Sequence, residues 1–276
     1  MLVFDIGSNA LNFAEACMKQ YGDDARLVLV EPNKEHFKPQ YTHPPLSRAV
    51  IGVEYKAVGA VAEKDKAFNV NVQDGISSMS EDFMKRSRFC RGNRYIKEQT
   101  FQLYRDQLAA TGRIWSDEQI TRYILEVGKF ESLESWSVAN TMKDYSQVFV
   151  DVITLDMLVE KYGSPDLIKL DIEGHEHEAL KGLTQKHGEI TFEWSEETFD
   201  IAEKCMNKLV SLGYEEFGIV GFFEDGHPPQ ATPEEKGGDN YLRRPNQYYS
   251  AEVLIEAVKP YTNEDRRISW GMIWAK

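Results

Sequence analysis

Cysteine is scarce in this chain: Cys17, Cys90 and Cys205 are the only three among 276 residues. Odd in number, far apart and without a CxxC pair, they argue against a disulfide framework and read as reduced thiols of a cytoplasmic protein. The histidine and cysteine spacings that suit zinc are missing as well. No run of about 18 apolar residues occurs, so no membrane span is expected. A basic segment followed by an apolar one is absent from the N-terminus, so no signal peptide is expected. Basic residues number 32 against 45 acidic ones, a formal net charge of −13. That balance argues against a surface built for nucleic acid or an anionic membrane. The glycine pattern GxGxxG is also lacking, which disfavours a nicotinamide-dependent oxidoreductase.

What is present suits one large α/β domain spanning residues 1–276. Apolar residues make up 42% of the chain and aromatics 12%, enough for a sizeable core. Residues 1–6 and 26–31 (RLVLVE) read as buried strands. Residues 55–62 (YKAVGAVA) read as a third, with residues 67–72 as an edge strand. Between the first two strands, Leu11, Ala14, Cys17 and Met18 recur at helical spacing. Strands that alternate with helices indicate a mostly parallel sheet. The rhythm breaks over about 80–145, read as a helical insertion, where Ser116 and Gln119 form a capping-box pattern. It returns with residues 148–152 (VFVDV), a helix over 155–162 and further strands at 167–172, 189–194 and 214–223. Residues 201–212 read as a helix stopped by Gly213. A long loop is expected at about 225–247 and a last strand at 268–275 (ISWGMIWA).

The most informative stretch runs from Lys169 to Leu180 (KLDIEGHEHEAL). A buried strand there passes through Asp171, Glu173 and Gly174 into a helix. Carboxylates at the carboxyl end of a buried strand sit where open α/β sheets bind ligands. They are costly to desolvate, so they need a reason to be there. Capping the next helix is the plain alternative, with Glu176 and Glu178 favouring its positive end. A second candidate is the turn Asp5-Ile-Gly7-Ser8-Asn9, where glycine admits a close ligand and helix amides favour an anionic group. A third is Glu31, an acid at a strand end that can accept both hydroxyls of a ribose.

Several spaced motifs together resemble the FkbM family of S-adenosylmethionine-dependent methyltransferases. They are Phe4-Asp-Ile-Gly-Ser-Asn9, Leu29-Val-Glu-Pro32, Thr154-Leu-Asp156, residues 166–176 (DLIKLDIEGHE) and Leu180-Lys-Gly182. The resemblance covers roughly half the chain. It implies a class I methyltransferase fold, a Rossmann-like and mostly parallel sheet with a reversed last strand. It further implies that Asp5, Gly7, Ser8 and Asn9 hold the methionine part of S-adenosylmethionine, Glu31 the ribose, and that Asp171 lies near the transferred methyl. Family members usually carry a second glycine where this chain has Leu11, so the first turn is expected to pack differently. They also usually carry a segment ahead of the first strand.

Such enzymes commonly methylate hydroxyl oxygens, often on sugars. An alcohol is a poor nucleophile until a base removes its proton. The base candidates are Asp171, His175 and Glu193, with Glu173 placed for the acceptor. Asp171, Glu173 and Glu193 could also offer oxygen ligands to magnesium or calcium, although no metal is expected. Within the insertion, Arg88 and Arg91 belong to a basic run interleaved with aromatics that could bind an anionic acceptor. Arg243, Arg244, Tyr248 and Tyr249 are expected on the opposite wall. The acceptor is therefore read as a small molecule or glycan. Two other readings are RNA ribose 2′-O-methylation, disfavoured by the acidic charge, and a non-catalytic module that binds S-adenosylmethionine or sugar.

Overall fold

In a computed structural model, the alternating apolar segments form the strands of a mostly parallel sheet. It describes residues 1–34, 44, 46–71, 77–86, 102, 104–106, 108, 109, 112, 114–129, 132, 145–223, 226–234, 242–262 and 269–276. Contacts divide the chain into two units, Met1–Ser80 with Gln147–Lys276, and Glu81–Ser146.

The first unit begins with β1 (Leu2–Ile6), α1 (Asn12–Tyr21) and β2 (Arg26–Val30). A single turn of helix, α2 (Leu46–Ala49), leads into β3 (Val50–Glu54), followed by β4 (Ala57–Val58) and β5 (Glu63–Asn71). The second unit holds α3 (Glu81–Arg86) and α4 (Asp117–Gly128). Ser116 and Gln119 cap α4 reciprocally, so both exposed donors at that helix start are satisfied. Ile120 and Ile124 turn one face of α4 onto Tyr104, Leu108 and Trp115. Most of β6 (Tyr145–Ile153) and the rest of the chain belong to the first unit. There follow α5 (Leu155–Tyr162), β7 (Leu167–Leu170), α6 (Glu176–Lys181) and β8 (Glu189–Ser195). The chain closes with α7 (Phe199–Ser211), β9 (Phe217–Phe223), β10 (Ala231–Pro233), α8 (Ala251–Val258) and β11 (Ser269–Ala275).

Among the described residues, eight strands form one sheet in the order β10-β9-β11-β8-β7-β1-β2-β3. Neighbours from β8 through β3 run parallel, while β11 lies antiparallel to both β8 and β9. A parallel sheet needs cover on both faces. The strands supply it by alternation: Phe4, Ile6, Val28 and Val30 enter one apolar cluster, while Val3, Leu27 and Leu29 enter another.

Three expectations change. The third strand of the main sheet is β3, at residues 50–54, and the segment 55–62 contributes only Ala57–Val58. Val50 to Glu54 pair with β2, whereas Ala57 and Val58, although buried, pair with Val152 and Ile153 of β6. Residues 148–152 lie in β6, which belongs to a separate three-stranded sheet ordered β4-β6-β5. The long loop near 225–247 contains β10, which extends the main sheet beside β9. Between that loop and the last strand, in a segment to which no element is assigned above, α8 is capped by Ser250 and buries Ala251, Leu254 and Val258 at helical spacing.

Candidate active site

Register determines which residues meet. Ile6 pairs with Val30 on one side and with Leu170 on the other, and Leu170 pairs with Phe192. The residues one step further on, Gly7, Glu31, Asp171 and Glu193, therefore form a row, the first three just past the carboxyl ends of β1, β2 and β7 and Glu193 near that of β8. That edge of an open parallel sheet is where ligands bind. All four line a single cleft of about 270 Å³. Ser8, Asn9, Glu173 and His175 line it as well, so most of the residues singled out in the sequence meet in one place.

The turn after β1 is built for close approach. Gly7 adopts φ +78°, and a Cβ there would stand 1.9 Å from the carbonyl oxygen of Asp171. Any other residue would push β1 and β7 apart. Ser8 uses its hydroxyl within the turn: it donates to the Asp5 carbonyl at 2.7 Å and accepts from the amide of Val30 at 3.2 Å. Leu11, in the place of the family's second glycine, also takes the left-handed conformation, at φ +64°. Its side chain is 1% exposed and packs in the core, so the backbone path of a glycine is retained with a leucine filling the space beneath.

Glu31 is held from both sides. Its carboxylate accepts the amides of Asn9 at 3.2 Å and Asn33 at 2.9 Å. These bonds aim the side chain along the cleft, and a carboxylate has capacity for about four donors in all.

The departure from expectation is Asp5. It is 0% exposed and is not among the residues lining the cleft. Its cross-strand partner is Lys169, whose Nζ lies 3.2 Å from Asp5 Oδ1 and 3.4 Å from Asp171 Oδ2. The same ammonium donates to the Gly7 carbonyl at 2.7 Å. Burial pushes the Asp5 carboxyl above its ordinary value, with Lys169 working against that rise. Burial by itself would lower Lys169; the two aspartates more than reverse this and hold it above its ordinary value. Lys169 is not among the site residues that the motifs point to, yet the sequence carries a signal for it. The apolar strands LVFDI and LIKL each hold one charge, of opposite sign. A buried charge requires a partner.

Glu176 is a second residue with a larger part than its position suggests. Expected to serve helix-end electrostatics, it is instead buried, and one of its oxygens accepts the amides of Ile172 at 3.0 Å and Gly174 at 3.3 Å. It braces the loop that carries Asp171, Glu173 and His175. Burial raises its pKa to about 7. Glu173 sits on this loop at φ +54°, a conformation that costs most side chains about 1 kcal/mol. Burial lowers His175 below the ordinary imidazole value and so favours its neutral, proton-accepting form. One ligand oxygen each from Asp171, Glu173 and Glu193 lies within 4.8 Å of the others. Such a group can receive several hydroxyl donors at once.

Arg88 and Arg91 lie outside the described residues. On the other side of the expected acceptor wall, Arg244 pairs with Glu189 at 2.5 Å and stacks 3.9 Å over the Trp274 ring. That guanidinium serves packing, and none of Arg243, Arg244, Tyr248 and Tyr249 lines the cleft.

A family model described as the methyltransferase FkbM domain matches residues 5–215. No curated protein and no solved structure matches the chain.

Proposed function

The chain belongs to the FkbM methyltransferase family, and from that premise we propose that it is an S-adenosylmethionine-dependent O-methyltransferase acting on a hydroxyl of a sugar, glycan or similar small molecule. The observation that carries this reading is the row formed by Gly7, Glu31, Asp171 and Glu193 along one cleft. The antiparallel β11 between β8 and β9 supports the class I methyltransferase arrangement.

The donor set suits the cofactor. Glu31, oriented by two backbone amides, would accept the ribose hydroxyls. The turn at Gly7, Ser8 and Asn9 would take the methionine part, and Asp171 would face the sulfonium. Bound S-adenosylmethionine supplies an electrophilic methyl group. The protein must then position a hydroxyl and remove its proton. Asp171, Glu173 and Glu193 would accept hydrogen bonds from a polyhydroxyl acceptor and fix its orientation. His175, kept neutral by burial, would accept the proton. Three carboxylates at the acceptor end favour an uncharged sugar face there, whatever charge the acceptor carries elsewhere.

Among the described residues no helix is long and apolar enough to cross a membrane. A cytoplasmic setting belongs to the same proposal, supported by the buried free thiols of Cys17 and Cys205.

Calorimetry with S-adenosylmethionine and with its demethylated product tests the cofactor, and binding of neither would end this reading. Mass spectrometry of a glycan extract incubated with enzyme and isotope-labelled cofactor then tests the acceptor, with label expected on a hydroxyl oxygen. Label on nitrogen or carbon would overturn the O-methyl assignment.

A further inference from the structure

The ammonium of Lys169 is shared between two carboxylates of very different exposure. Asp5 is sealed at 0%, while the Asp171 side chain is 36% exposed and faces the cleft. Lys169 itself is 6% exposed. Two carboxylates against one ammonium leave one negative charge in excess. Asp5 cannot touch a ligand, yet without it Lys169 would neutralise Asp171 completely.

We propose that Asp5 adjusts the charge of the cofactor site through Lys169: by sharing that lysine with Asp171, it leaves the Asp5–Lys169–Asp171 cluster one net negative charge, in addition to the cleft carboxylates Glu31, Glu173 and Glu193, and so favours a cationic sulfonium over its neutral thioether product. Asp5 is a positioning residue in this account, acting through another side chain. The inference rests on the cofactor reading above. Its consequence is specific to the reaction, because methyl transfer removes the positive charge from sulfur while leaving the rest of the cofactor unchanged. Charge in the wall therefore separates substrate from product in addition to the shape of the lost methyl. The cross-strand pairing of Asp5 with Lys169 and the 2.7 Å bond from Lys169 to the Gly7 carbonyl hold the three groups in one arrangement beneath the turn.

The test is calorimetric and needs no turnover. Affinities for S-adenosylmethionine and S-adenosylhomocysteine are measured on the full chain, and their ratio is the readout. Asp5→Asn keeps the size of the side chain and removes its charge. It should lower the preference for the sulfonium about five- to tenfold, the size expected for one charge near the ligand in a partly solvated site. The double variant Asp5→Asn with Lys169→Met restores one net negative charge at Asp171, and leaves no unpaired charge buried. Its ratio should return toward the wild-type value, although it has lost more native contacts. An unchanged ratio in Asp5→Asn overturns the inference, and so does a fallen ratio that the double variant does not recover. Wild-type protein that binds neither ligand would instead overturn the cofactor reading itself. Melting curves recorded alongside establish that each variant is folded.

Discussion

The hydroxyl of Ser78 donates to the backbone carbonyl of Glu173 at 2.7 Å across ninety-five residues of sequence. Ser78 is fully buried, and its oxygen also accepts the amide of Ser80 at 2.9 Å. One side chain thus ties the segment after β5 to the strained residue of the site loop. Ser78→Ala should leave a buried carbonyl and an amide without this partner and cost about 1–3 kcal/mol. Chemical denaturation measures the loss. A cost under about 0.5 kcal/mol would mean that the loop holds its conformation without Ser78.

Leu11 presents a contest between backbone strain and burial. Glycine at this position would relieve about 1 kcal/mol of left-handed strain, while removing a buried leucine costs about 2–5 kcal/mol. Burial wins, so Leu11→Gly should be destabilising by roughly 1–4 kcal/mol. A melting temperature equal to or above that of the native protein would reverse this ordering of the two effects.

Glu176 makes stability depend on pH. Its folded-state pKa is raised from 4.5 to about 7, so between those values the folded chain holds a proton that the unfolded chain has released. The stabilisation is complete below about pH 4.5 and is lost as pH rises toward about 7, a change of order 3 kcal/mol. Glu176→Gln retains an acceptor for the amides of Ile172 and Gly174 and removes the titration. Its melting temperature should fall less than that of the native protein across this window. Parallel curves would mean that Glu176 is ionised in the folded state throughout.

His175 has its pKa lowered by burial, so its base form persists below the ordinary imidazole range. Activity should rise with pH through an acid limb centred below 6.5 and then level off. His175→Gln should lower turnover by about 10²–10⁴-fold and abolish that limb. A limb that survives the substitution would assign the proton acceptor to Glu193 or Asp171.

Asp171, Glu173 and Glu193 stand close enough to suit a cation, yet they are equally suited to hydroxyl groups. Exhaustive treatment with a chelator should leave the methylation rate unchanged. A rate that falls and returns on adding magnesium would put a cation between these carboxylates.

Much of the site is legible in the amino-acid sequence, for a local reason. Gly7, Glu31 and Asp171 each directly follow a run of apolar residues, and period and apolar content are properties of neighbouring residues. The caps at Ser116 and Thr154 and the stops at Gly163 and Gly213 are likewise written locally. The segment 55–62 misleads because Ala57 and Val58 are indeed buried and extended, but their partner is β6 rather than β2, and pairing across some ninety residues is not written in any local pattern.

The sequence by itself determined the alternation of strands and helices, the residue types at the strand ends and the family to which these motifs point. Tertiary structure alone decided what the buried charges do. Asp5 reads as a ligand contact until the register of β1 against β7 sets it opposite Lys169. Glu176 reads as a helix-end charge until the loop folds back and presents it with two backbone amides. Both decisions depend on desolvation and on how the backbone folds around the charge. Those quantities exist only once the strands have paired and water has been excluded from between them.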